Sequence, residues 1–143
     1  MKTIKQVLLG KNPNIWSISP EASVFQALEM LADKDIGALI VLENNEIVGI
    51  LSERDYARKV ILSGKSSRTT LVRDIMTADV IGISPESSIE ECMALMSQNH
   101  IRHLPVYDGS RVVGVVSIGD IVKAIIDEQE LLIDNLVYYI TGH

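Results

Sequence analysis

The apolar positions of this chain follow one pattern twice. A short β-prone run, Asn14-Ile15-Trp16-Ser17-Ile18, closes at Ser19-Pro20. Behind it, Val24, Ala27, Leu28 and Leu31 recur at the spacing of one helix face. Ala38 to Leu42 and Ile47 to Leu51 then read as strands joined in a hairpin across Glu43-Asn44-Asn45-Glu46, and a second helix starts at Ser52. The order repeats with Asp79-Val80-Ile81-Gly82-Ile83, the helical stripe Ile89, Cys92, Met93 and Met96, and the strands Leu104 to Tyr107 and Arg111 to Val116 around Asp108-Gly109. A last helix starts at Ser117 and carries its apolar positions on through Leu131, Leu132, Leu136, Tyr139 and Ile140, well past its counterpart. Ser23 with Gln26 and Ser88 with Glu91 have the spacing of a capping box, which satisfies free N–H groups at a helix start.

The two halves superpose at a fixed offset of 65 residues. From Ile18 to Asp55, 12 of 38 positions are identical without a gap, and most differing apolar positions stay apolar. The chain is therefore read as a tandem duplication. Thr3 to Leu9 resembles Leu71 to Thr77, so each unit opens with a short lead-in. The predicted division is residues 3–62 for unit one, 63–70 for a linker and 71–127 for unit two. Residues 128–143 form a helical extension whose overrunning stripe is expected to contact a second subunit. Strand-helix-strand-strand-helix in each unit makes an α+β fold.

Composition narrows the function. Of 143 residues, 47% are hydrophobic and 22% charged, a globular balance with enough chain to bury a core. No apolar run reaches the ~20 residues of a membrane span, and the first residues lack a signal-peptide stretch. One cysteine, Cys92, makes neither an internal disulfide nor a thiolate metal cage and suits a reducing cytoplasm. The net charge of −6 argues against nucleic acid as the main partner. Between Glu53 and Arg73, however, six Lys/Arg face two acids, which leaves room for a small anion.

Val48-Gly49-Ile50-Leu51-Ser52-Glu53-Arg54-Asp55 and Val113-Gly114-Val115-Val116-Ser117-Ile118-Gly119-Asp120 each carry G-x-x-S-x-x-D after a hydrophobic strand. Each is preceded by a Ser-Pro-entered helix and by the strand entry Ile36-Gly37-Ala38-Leu39 or Ile101-Arg102-His103-Leu104-Pro105-Val106. This arrangement resembles a tandem pair of cystathionine-β-synthase (CBS) domains, a Bateman module, over about Thr3 to Ile126. The resemblance implies two β-α-β-β-α units related by a pseudo-twofold axis. It also implies two clefts between them for adenosine-containing ligands, and dimerisation into a disk. In the family the pair commonly regulates an attached enzyme, channel or transporter. Here 143 residues leave no room for a catalytic domain, so output is expected to pass to a separate protein or through a homodimer.

Several residues admit a structural and a ligand-binding reading side by side. Ser117 with Asp120, and Ser52 with Asp55, can cap their helices. The same geometry offers a hydroxyl and N–H groups to phosphate, and the family uses this Asp to accept bonds from a ribose diol. Gly49 and Gly114 mark either a bulge or a close backbone approach. Ser17 and Gly82, where the family contacts adenine, are also ordinary turn residues. Ile36 and Ile101 either wall a base or pack in the core, and the resemblance places Gly37, Ala38 and Pro105 at the ligand as well. Arg102 and His103 either pair with phosphate or lie on a solvated strand edge. Arg54, Arg58 and Lys59 are a solvated basic face or a phosphate subsite, with Arg54 and Arg58 on one face. Trp16 either walls a cleft or fills the core, core being favoured, and Cys92, Met93 and Met96 are read as core.

No catalytic constellation surrounds His103, no zinc-ligand spacing involves His100 or His143, and no P-loop or dinucleotide-binding glycine motif occurs. The expected protein is a non-catalytic cytoplasmic sensor without a catalytic cofactor or metal. It would bind an adenine nucleotide (AMP or NAD(H) favoured, ATP or ADP next) and signal by population shift as a homodimer to a protein partner. Cationic S-adenosylmethionine fits the basic groups less well. The alternative is a structural protein with vestigial clefts that acts through its C-terminal helix.

Overall fold

The structure is a computed structural model that describes residues 2–11 and 14–142. His143 therefore lies outside the described residues. The chain forms two compact units, one from Ile15 to Val80 and the other from the residues up to Asn14 together with those from Ile81 onward. Each is described by itself.

In the middle unit, β1 (Ser17–Ile18) pairs parallel to β2 (Ala38–Glu43), which pairs antiparallel to β3 (Glu46–Ser52). Helix α2 (Val24–Lys34) starts at the predicted capping box and ends where Asp35 turns left-handed at φ 52°. Its buried Val24, Ala27 and Leu31 pack with Leu39, Val41 and Leu51 of the sheet. Asn44 and Asn45 both take positive φ, 53° and 63°, as a two-residue hairpin turn between right-twisted strands demands. After β3 comes α3 (Glu53–Tyr56), which widens into π-type turns over Ala57–Ile61. There the Leu62 N–H bonds Ala57 O and the Lys65 N–H bonds Val60 O, five residues back.

In the terminal unit, α5 (Ile89–Asn99), β4 (His103–Asp108) and β5 (Arg111–Ser117) repeat the plan, and α6 runs from Ile118 to Thr141. Ser88 accepts from the Glu91 N–H at 3.0 Å, and the helix ends with His100 at φ 54°. Cys92 and Met96 are buried in this core and Met93 packs against it. The strand expected at 79–83 does not form, and Ile83 makes only an isolated bridge to Val106. Pro105 explains the difference. Its counterpart Ile40 donates its N–H to Trp16 O and so extends β1, whereas proline has no N–H to give.

The lead-in segments do not pack with the unit they precede. Helix α1 (Ile4–Leu9) lies in the terminal unit, where the N–H groups of Ile4 and Lys5 bond Ser87 O and Pro85 O at 2.8 and 2.9 Å. Helix α4 (Val72–Ile75) lies in the middle unit and repeats those bonds from Val72 to Ala22 O and Arg73 to Pro20 O, again at 2.8 and 2.9 Å. Buried Ile4 and Val7 complete one core, Val72 and Ile75 the other. Each compact unit thus includes the lead-in of the other repeat. The apolar faces of the lead-ins are completed by cores remote in the chain, a pairing that spacing does not encode. Residues of the linker also pack, since Ser67 O accepts from the Phe25 N–H and the Arg68 guanidinium stacks 3.9 Å from the Phe25 ring.

Candidate functional site

Both candidate centres grow from one local device, a strand that ends in serine and turns directly into a helix. In the middle unit Ser52 pairs with Ala38 across the hairpin, and the Glu53 N–H bonds Gly37 O at 3.1 Å. Ser52, Asp55, Gly37 and Ala38 are thereby brought to one end of the sheet, with Ser17 on β1 opposite Ile40. Asp55 is buried and held on both oxygens. Oδ2 accepts from the Ser52 N–H at 2.9 Å and from the Ser52 hydroxyl at 3.1 Å. Oδ1 accepts from the Thr77 hydroxyl at 3.4 Å and lies 3.1 Å from the Lys59 ammonium, which also donates to Ile75 O.

The terminal unit builds the same corner with different groups. His103 pairs with Ser117, and the Ile118 N–H bonds Arg102 O at 2.8 Å. The Ser117 N–H donates to Asp120 Oδ2 at 2.8 Å, and the Ser117 hydroxyl accepts from the Asp120 N–H. Lys11, from the N-terminal segment, places its ammonium 2.6 Å from the same Oδ2 and donates to Val115 O at 2.7 Å. Among the described residues, the bonds from Lys11 and the Ser117 N–H fall on Oδ2. Burial works to raise the pKa of Asp120, but the bonds from Lys11 and Ser117 outweigh it and hold the carboxyl below its usual range. Burial pushes His103 down, with Lys11 and Arg102 adding to the effect and Asp120 opposing it. Arg102, next to His103, is exposed.

Other sequence-predicted residues fall into place by packing. Ile36 and Ile101 are half-buried against their cores. Trp16 packs against the middle core with the Lys34 ammonium 4.4 Å from its ring. A bulge stands beside each strand glycine, and a Cβ on Gly49 would lie 2.6 Å from Met76 Sδ, one on Gly114 2.6 Å from Leu8. The close approach at both glycines is thus made by the lead-in segments. Pro105 is buried in β4. Gly82 is not brought to the Ser117 corner. It sits under the Tyr107 ring and lines a groove of about 480 Å3 with Ser84, Glu86 and Asp108 near the hairpin turn.

The basic run is largely committed within its own unit. Lys59 turns onto Asp55, Arg68 onto Phe25, and Arg73 pairs with Glu21 and Glu43. Arg58 remains exposed, and the π-type turns alter the spacing that would align it with Arg54. Of the first-turn N–H groups expected to meet an anion, those of Glu53 and Ile118 bond carbonyls and those of Asp55 and Asp120 bond the serine caps. Lys11 and Thr77 are not among the site candidates that the sequence singles out. Their only signal was position, since both follow the lead-in helices. Among the described residues no group of three His, Cys, Asp or Glu side chains is placed to hold a metal ion, and no helix is long and apolar enough to cross a membrane.

Comparison with known proteins agrees with this architecture. A family model described as CBS domain matches residues 4–62 and 72–127. The mitochondrial CBS domain-containing protein CBSX3 of Arabidopsis thaliana is 37% identical, covering 98% of this chain and 72% of its own length. A solved CBS-domain protein from Burkholderia ambifaria is 45% identical with a TM-score of 0.87, over 90% of this chain and 96% of that one. The CBS domain pair of protein MJ0100, solved with 5′-methylthioadenosine and S-adenosyl-L-methionine, is 26% identical with a TM-score of 0.79, over 90% and 98% of the two chains.

Proposed function

The chain belongs to the CBS domain family as a tandem pair, and from this we propose that it is a non-catalytic sensor of an adenosine-containing ligand, working as a homodimer on a protein partner. The observation that carries the reading is the Ser117–Asp120 corner. A half-buried carboxylate is kept ionised by bonds from Lys11 and the Ser117 N–H to its Oδ2, and its other oxygen is the acceptor this reading gives to a ribose diol. Arg102, exposed beside it, supplies a cation for phosphate, which favours AMP or NAD(H). The ligands of the MJ0100 pair support an adenosine moiety and bring S-adenosylmethionine back among the candidates. Asp55, tied on both oxygens, makes the weaker site. Signalling is a shift in conformer populations set by the ligand's differential affinity. Cys92, buried with its thiol pushed up to about 11, is an unreactive core side chain, and as the single cysteine of this sequence it suits a reducing compartment such as the cytoplasm.

A thermal-shift series with AMP, ADP, ATP, NAD, NADH and S-adenosylmethionine tests the reading. A ligand at ~100 times its dissociation constant adds about 2.7 kcal/mol. One of these should raise the midpoint of the wild type, and Asp120→Ala should abolish that rise while Asp55→Ala reduces it less. No shift with any of them, after dialysis to remove carried-over ligand, would transfer the lead to the structural role of the C-terminal helix.

A further inference from the structure

Helix α6 outruns its own unit. Only Ile121 and Ala124 are buried, and every residue from Gln129 to Gly142 is exposed. Its 13 helical residues, Gln129 to Thr141, span roughly 20 Å and make a marginal helix in water unless something packs on them. At about 100° per residue, Ile126, Leu132, Ile133, Leu136, Tyr139 and Ile140 share an arc of about 140°, broken only at Gln129. Leu132 is 58% exposed, Leu136 53% and Tyr139 89%. The stripe covers roughly 260–310 Å2 of helix envelope, one continuous apolar face rather than scattered apolar surface.

We propose that α6 pairs antiparallel with α6 of a second copy of this chain. The flanks argue against a lipid surface, because Asp127, Glu128, Glu130 and Asp134 line this stretch and no Lys or Arg follows Lys123. The stripe is self-complementary. About a centre between Leu132 and Ile133, Ile126 stands level with Tyr139 of the second copy, and Leu132 with its Ile133. Charge selects the direction. A parallel in-register pair sets Glu128 and Glu130, which flank the stripe, level with their own copies, whereas the antiparallel pair sets them level with Val137 and Asn135. Opposed helix dipoles favour the same arrangement. This inference stands apart from ligand binding and gives the proposed homodimer a surface.

Light scattering on the full chain should give at least twice 15.8 kDa. Leu132→Glu/Leu136→Glu, two exposed positions, should halve that mass while circular dichroism and the nucleotide-induced shift persist. In full-length chains, Gln129→Cys mixed with Leu136→Cys should form the mixed disulfide in at least about threefold excess over either homodisulfide. This arm introduces no charge and reads orientation even if the double variant folds poorly. A monomeric wild type, a mass unmoved by the double variant, or homodisulfides in excess would overturn the proposal.

Discussion

Asp55 and Asp120 occupy one position of the repeat, yet their lysines come from different places. Lys59 is four residues along the same helix, and its counterpart in the terminal unit is Ala124. Lys11 arrives from the far end of the chain and bonds Val115 O; the corresponding Ile50 O is satisfied by the Thr77 N–H. Each unit thus neutralises its carboxylate by its own route. The sign of the pH dependence follows from the direction of the Asp120 shift. Its folded pKa is depressed, so the pair's contribution is fully present above the ordinary unfolded value of about 3.9 and is lost as pH falls through the folded value. Asp120→Asn should cost about 1 kcal/mol at pH 7, and urea melts should show the gap closing as pH drops below about 4. A gap that widens on acidification would contradict the pairing. Ser52, Asp55, Ser117 and Asp120 were legible because a local motif fixes them. Lys11 was not, because its contact spans 109 residues.

The hairpins and first helices follow so closely from the sequence because their signals are local: caps, asparagine turns and three-and-four spacing. The short first strands depend instead on a donor in the neighbouring strand. Ile40 supplies one and Pro105 does not, so 79–83 stays irregular despite its β-prone residues. The strand glycines show the same limit, since only the folded lead-ins reveal what approaches them. Their neighbours differ in stiffness. A Cβ on Gly49 would also lie 3.0 Å from Thr77 O, whereas one on Gly114 meets only the tip of Leu8. Gly49→Ala should therefore destabilise by about 1–3 kcal/mol and Gly114→Ala by under about 1 kcal/mol, measured by denaturant melts. Equal losses would mean that backbone contact does not set the cost.

At the scale of the molecule, the duplication is plain in sequence but its packing is not. Each lead-in helix completes the core of the unit it does not precede, with matching hydrogen bonds at Ser87 and Pro85 in one unit and at Ala22 and Pro20 in the other. The corner that each unit builds differs between the two. In the middle one Thr77 and Lys59 meet Asp55 Oδ1, while in the terminal one Lys11 and the Ser117 N–H meet Asp120 Oδ2 and Arg102 is exposed nearby. On the proposed reading, that asymmetry predicts two sites of unequal affinity. Calorimetric titration with the nucleotide that gives the largest thermal shift tests the account most directly. It predicts a tighter binding event that Asp120→Ala removes and Asp55→Ala leaves in place. Binding that survives Asp120→Ala unchanged, or two identical sites lost equally in either variant, would contradict it.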